Sequence, residues 1–257
     1  MNGEMYQICR IVVASKNALK TGKAISYEPI KYENKIEFQL LPQKNLLYKS
    51  ALKADSVFNW YEHCLKKGLH DIKMLTPITI GNRNILGFSN TTQSSIVCFF
   101  RDGKVSYFFP KWEFDSVEKL WNILYTEHEW TKPPLDMPKF KDNTKELMDV
   151  LEDIKELACQ IECDSFAKLF QKAANTLIET VDYINAERNN PLPQIPDKNL
   201  RIFEAASIAD VFGAMGSWND SPPYMAHEKG LDREYETLSS ELLKQVRLAI
   251  LYAVNEW

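Results

Sequence analysis

The sequence predicts an α+β fold: an N-terminal mixed module with a mainly antiparallel sheet, followed by a C-terminal all-α helical bundle. Three observations carry that expectation. Ser94–Phe100 and Val105–Phe109 are β-branched and aromatic runs on either side of Arg101-Asp102-Gly103-Lys104, and Asp-Gly supplies the positive φ values of a tight hairpin turn. From residue 141 onward, apolar residues recur at helical spacing in four separate stretches. Between these regions Pro133, Pro134 and Pro138 remove backbone donors and restrict φ, so neither a helix nor a central strand can run through. The expected layout is a module over residues 1–132, a Pro-rich connector at 133–140 and a helical bundle over 141–257.

Within the first module, Tyr6–Ala14, Ala24–Tyr32 and Lys35–Leu41 read as short strands, with turn signals at Gly22 and Glu33-Asn34. Asp55 and Ser56 are good N-cap residues, and Gly68 is a natural C-terminal stop. Between them Val57, Trp60, Tyr61, Cys64 and Leu65 fall at helical spacing. Both runs of the Asp-Gly hairpin are apolar on alternate faces, which predicts a central pair covered on both sides. Asp115 with Glu118 three residues later is capping-box chemistry. With Val117, Leu120, Trp121, Leu124 and Tyr125 as its apolar face, a helix is expected there.

In the second module Leu147, Val150, Leu151, Ile154, Leu157 and Ala158 form one stripe, with acidic residues on the opposite face. Asp164 or Ser165 caps the next helix, whose stripe is Phe166, Leu169, Phe170, Ala173, Leu177 and Val181. A third helix is expected from about Asn199 to Phe212, and a last one from Leu231 to the C-terminus. These four stripes can close around one core.

Composition narrows the function classes. The chain has 257 residues, 45% hydrophobic and 26% charged, with a net charge of −4, which excludes a disordered, collagen-like or rod-like chain. Charge is unevenly distributed: residues 141–257 carry −9 and residues 1–140 carry +5. Ile11–Ala14 is too short for a signal-peptide core, and the uncharged stretch Asn84–Phe100 is rich in Asn, Ser and Thr, so no membrane partner is expected. Five scattered cysteines read as reduced, buried thiols of a cytoplasmic protein. Cys159 and Cys163 share a helix face but lack the further ligands of a zinc site. Neither a metal nor a cofactor is expected.

The most unusual stretch is Val211-Phe212-Gly213-Ala214-Met215-Gly216-Ser217-Trp218-Asn219-Asp220, continuing to Tyr224 between two helical segments. Gly213 suits a left-handed C′ position that ends the third helix, and Gly216 adds a second permissive position. Trp and Tyr on an ordered loop offer large contact area at low rotamer cost, so Trp218, Asn219, Asp220 and Tyr224 are the candidate partner-binding residues. The competing reading makes Trp218 a lid folded back on the bundle, with Asn219 and Asp220 in Asx turns. Gly-x-x-Gly-Ser lacks the Lys-Ser/Thr ending and the preceding strand of a phosphate-binding loop. Together with the helix before it and the Tyr235-to-Asn255 helix after it, this stretch resembles a C-terminal module of uncharacterised bacterial proteins. Some of those proteins resemble immunity proteins of toxin–immunity loci. They usually carry a second Gly where this chain has Ala214. The resemblance covers about residues 144–257 and implies binding; it brings no catalytic residue with it.

No His-Glu-x-x-His, Gly-x-Ser-x-Gly or calcium-loop pattern occurs. His128, between Glu127 and Glu129, has acid–base potential, but adjacent residues on a helix point in different directions. His63-Cys64 is likewise adjacency without geometry, and His227-Glu228 reads as surface loop. Lys16, Lys20, Lys23, Lys31 and Lys35, with Tyr27 and Tyr32, invite a nucleic-acid reading. They are interleaved with Glu28, Glu33 and Glu37, which favours a lysine-guarded sheet edge instead. The leading expectation is a non-enzymatic binding protein whose partner is another protein, in the immunity-type case a toxin. The alternatives are a hydrolase or nucleic-acid-processing enzyme sited between the modules and using His128 or Asp220, or a nucleic-acid binder using the lysine-rich strands.

Overall fold

A computed structural model of the chain describes residues 1–42, 52–134, 136–178, 192 and 195–257. It is mixed α and β, with one six-stranded, mostly antiparallel sheet and a helical C-terminal part. The chain divides into two compact units. A sheet unit comprises Tyr6–Leu75 and Gln93–Pro138; a helical unit comprises Met1–Met5, Thr76–Thr92 and Lys139–Trp257.

The strands are β1 (Glu33–Leu40), β2 (Leu52–Ala54), β3 (Leu69–Leu75), β4 (Ser95–Phe100), β5 (Val105–Asp115) and β6 (Leu120–Glu129). Their order is β2-β1-β6-β5-β4-β3, with β1 and β6 parallel and every other neighbouring pair antiparallel. The Asp-Gly hairpin forms as its turn chemistry dictates, with Gly103 at φ +81°. β4 lies between β3 and β5 and is buried along its whole length, as its two-sided apolar run implies. β5 departs from that pattern, because its second half is largely exposed.

Helix α2 (Val57–Lys66) starts at Ser56, whose side chain accepts a hydrogen bond from Asn59 N, and stops before Gly68 at φ +87°. It buries Val57, Trp60, Tyr61 and Cys64, while Leu65 stays exposed. Trp60 stacks on Phe38 of β1 at 4.6 Å, and Phe38 stacks in turn on Tyr125 of β6 at 4.9 Å. Phe108 of β5 meets both Phe38 and Trp60 edge-on, completing an aromatic core. Glu127 of β6 is a buried polar node in this unit. Its carboxylate accepts from Leu41 N at 2.8 Å, Ser106 Oγ at 2.9 Å and Lys67 Nζ at 3.1 Å.

Three expectations for the first module are corrected. Tyr6–Ala14 is not a strand; it lies within α1 (Gly3–Thr21), which ends at Gly22 with φ +66°. Residues 4–16 are buried except for Tyr6, polar Glu4, Gln7, Arg10, Ser15 and Lys16 included, so polarity here does not mark a solvent face. Ala24–Tyr32 forms no strand either. Pro29 lacks a donor, and backbone groups of this segment bond to side chains instead: Arg10 Nη2 to Glu28 O at 2.6 Å, and Ile30 N to Glu33 Oε2 at 3.0 Å. The helix expected after Asp115 is the β5–β6 hairpin. Asp115 Oδ1 does accept from Val117 N and Glu118 N, but within a four-residue turn that Lys119 leaves at φ +56°. Val117 is 85% exposed, and β6 buries alternate residues Ile123, Tyr125 and Glu127.

In the helical unit the elements are α3 (Thr144–Gln160), α4 (Asp164–Ile178), α5 (Asp197–Ala209), α6 (Pro222–Glu228) and α7 (Asp232–Asn255). α3 buries all six residues of its expected stripe. In α4, Phe170, Ala173 and Leu177 are buried but Leu169 is exposed, and Val181 lies outside the described residues. α3 packs on α4 and α7, and α5 packs on α4 and α7. No helix among the described residues is long and apolar enough to cross a membrane.

Candidate functional site

The segment between α5 and α7 folds upon itself. α5 ends at Ala209, earlier than expected, and Gly213 does not adopt a positive φ; Gly216 does, at +78°. Ser217 N donates to Ala214 O at 3.0 Å, Trp218 N to Val211 O at 3.0 Å and Asp220 N to Ser217 O at 3.1 Å. Asp220 closes the turn by accepting Gly216 N on Oδ2 at 2.8 Å, and Ser217 Oγ accepts Asn219 N at 3.2 Å. Pro222 and Pro223 then open α6 at the helix positions where a missing N–H costs nothing.

Trp218 anchors this segment from inside. Its side chain is fully buried, edge-on to Phe166 and Phe170 at 5.2 Å each and stacked on Tyr235 at 5.5 Å. Its indole Nε1 donates to Ser239 Oγ at 2.8 Å, and its carbonyl accepts the Tyr235 hydroxyl at 2.5 Å. Burial pushes the Tyr235 phenol up to about 12, so it remains a donor. Trp218 therefore presents no ring to a partner; of the two readings of this residue, the fold adopts the lid.

The outward-facing residues are others. Met215 is 93% exposed and Tyr224 is 63% exposed. Asn219 is half-buried and turns its Nδ2 to Arg83 O at 3.1 Å, and Asp220 is exposed but held on Gly216. Arg83 belongs to a 3₁₀ turn, Arg83–Gly87, whose start is capped by Asn82. Its guanidinium reaches Ser240 Oγ and Glu236 Oε2 on α7, both at 2.8 Å. At the end of that turn Gly87 lies so close to Ala214 that a Cβ on it would stand 2.4 Å from Ala214 N. The residues following these contact points, Phe88 and Met215, are both exposed, Phe88 by 64%. Neither was singled out in the sequence, because nothing local marks residues 83–88 as the neighbour of a loop more than 120 positions away.

Elsewhere in the helical unit a cavity of about 590 Å³ lies between α3 and the start of α7. Asp153, Glu156 and Glu234 line it against a single guanidinium, Arg233, so the acidic helix faces read from the sequence converge on a concave surface. His227 is exposed and its Nδ1 lies 2.9 Å from Asp232 Oδ1.

The other candidate residues are dispersed. His128 lies on β6, not on a helix end, and stacks on Tyr107 at 5.2 Å. It belongs to the sheet unit and Asp220 to the helical unit. His63 and Cys64 are consecutive on α2, and Cys64 is buried. Of the five cysteines, Cys9, Cys64 and Cys98 are buried as expected, whereas Cys159 is exposed and Cys163 half-buried. The two do not share a helix face, because α3 ends at Gln160 and Cys163 follows the turn, just before α4. Among the described residues no group of three His, Cys, Asp or Glu side chains could hold a metal ion. The lysines do not share a strand surface. Lys16 and Lys20 are on α1, Lys23 and Lys31 are in irregular chain, and Lys35 on β1 pairs with Glu37.

No family model matches the chain, and no curated protein or solved structure matches it.

Proposed function

We propose that the chain is a cytoplasmic, non-enzymatic protein-binding protein, an immunity-type inhibitor that occludes a bacterial toxin. The observation that carries this reading is the anchored segment after α5. Trp218 and its hydrogen bonds hold the loop rigid from within, and the same loop leaves Met215 almost wholly in solvent. A protein gains little stability from an exposed methionine on a tightly fixed loop, whereas a binding surface gains an adaptable apolar contact at low ordering cost. Phe88 and Tyr224 add exposed rings of the type enriched at the energetic centres of interfaces. The acidic cleft lined by Asp153, Glu156 and Glu234 would steer a basic partner such as a nuclease. The resemblance of the 211–220 stretch to immunity-like modules agrees with this. In the same reading α3, α4, α5 and α7 form a four-helix bundle that serves as the scaffold.

The test is affinity capture with the full chain from lysate of its native host after nuclease treatment, followed by reconstitution with the purified captured protein. One stoichiometric protein is expected, with its toxicity neutralised on co-expression. Failure to retain any stoichiometric protein overturns the inhibitor reading.

A further inference from the structure

We propose that the second face of the sheet holds a binding site for the quaternary ammonium head of a small organic cation. The site lies within the sheet unit and is independent of the partner-binding reading. Its geometry follows from strand alternation: the face opposite the Phe38–Trp60–Phe108 core receives Val97 from β4, Val105, Tyr107 and Phe109 from β5, and His128 from β6. Val97, Phe99 and Val105 are buried there, with Leu75, Tyr107 and Trp130 packed half-buried against them. A cavity of about 400 Å³ is lined by Leu75, Val97, Tyr107, Phe109, Glu129 and Trp130, with hydroxyls from Ser95 and Thr131. That volume is within the range of small-molecule sites.

Ring orientation selects the shape of the occupant. Trp130 stands at 87° to Tyr107 with centroids 6.4 Å apart, and Phe109 stands at 73° to it at 5.5 Å. Walls set nearly at right angles make a box, not the parallel slot that sandwiches a flat ring. The parallel partner of Tyr107 is already present as His128, at 15°. A box of aromatic rings suits a rounded group, and the negative faces of the rings attract positive charge.

Charge and polarity narrow the class further. Of the lining residues only Glu129 is charged, so the electrostatic complement is a cation. Of the nearby lysines, Lys111 lies on Glu113 and Lys104 on Asp102, with Glu129 a weaker second neighbour of Lys104; Lys73, opposite Val97, is buried. Leu75 and Val97 offer apolar surface that suits methyl groups and gives nothing to a bare, strongly hydrated ammonium. The ring of Phe109 is 41% exposed, so one wall is open to an arriving ligand. An alkylated ammonium satisfies shape, charge and polarity together.

The experiment titrates the full chain with choline and with its neutral tert-butyl analogue, in which carbon replaces nitrogen, following tryptophan fluorescence and ligand NMR line width. Saturable choline binding is expected, with the analogue about fivefold weaker or more, the size of one cation–π contact. Phe109→Leu should weaken choline about fivefold. Glu129→Gln should weaken choline while leaving the analogue unchanged, and Phe114→Leu, on the same strand but outside the cavity, should change neither. Thermal melts of each variant separate lost binding from lost folding. Equal affinity for choline and its analogue overturns the assignment, as does absence of saturable choline binding. A trimethyllysine peptide that binds more tightly than free choline overturns the small-molecule source.

Discussion

In the helical unit Trp218 is enclosed by Phe166, Phe170 and Tyr235, whereas in the sheet unit Tyr107, Phe109 and Trp130 border an open cavity. The same residue types thus serve two ends. In the first unit they fasten a loop from within, so that what reaches solvent is a methionine and a tyrosine at fixed positions. In the second they form the surface itself. An aromatic residue on a connecting segment is therefore no guide to where contact is made; its hydrogen-bond partners are. Trp218 has a buried hydroxyl for its indole N–H, and that partner settles its place in the core.

The comparison is tested most severely by removing the anchor. Trp218→Ala should destabilise the helical unit by about 3–5 kcal/mol, through lost burial and a cavity among three rings. Phe109→Leu should cost about 0.5 kcal/mol or less, because its ring is already partly in water. Denaturant titration of both variants measures this; equal losses would erase the distinction between the units. Next in size is Gly87→Ala, which drives a Cβ against the Ala214 backbone and should cost about 1–3 kcal/mol by overpacking. Calorimetry of that variant would show whether the 83–88 turn truly braces the loop.

A smaller effect concerns alkali. Tyr235 keeps its proton up to about 12 in the fold, against a reference of 10.0. Between those values the unfolded chain has lost a proton that the native chain retains, so stability falls as pH rises through the window. Tyr61 of the sheet unit is raised to about 12 by burial as well, so both units should weaken above pH 10.0. Tyr235→Phe should flatten the alkaline decline of the helical unit alone, read by melts across that range.

How much of this was legible in the sequence follows from solvation. The stripe Leu147–Ala158 could be read because one face of α3 is wet and the other dry. α1 could not, since its polar residues Glu4, Gln7, Arg10, Ser15 and Lys16 are buried along with the apolar ones, and the β-branched run Ile11-Val12-Val13 resembles a strand. In β6 the residues after Asp115 satisfy helical and alternating spacing together. The Asp115 side chain serves a tight turn as readily as a helix start, so only pairing with β5 decides between them. The 211–224 segment stood out by composition, but its local sequence did not show that Trp218 is buried while Met215 and Tyr224 are exposed. The rings enclosing Trp218 are 17–52 positions away in the chain, and the contact between Gly87 and Ala214 is more distant still.

The most direct test of the central claim substitutes Met215, the most exposed apolar residue of the anchored loop. Met215→Asp should leave the melting curve within about 0.5 kcal/mol of wild type. In calorimetric titration with the captured partner it should weaken binding about tenfold or more, as an interface centre does. Unchanged affinity for that partner in a fully folded Met215→Asp variant would contradict the account.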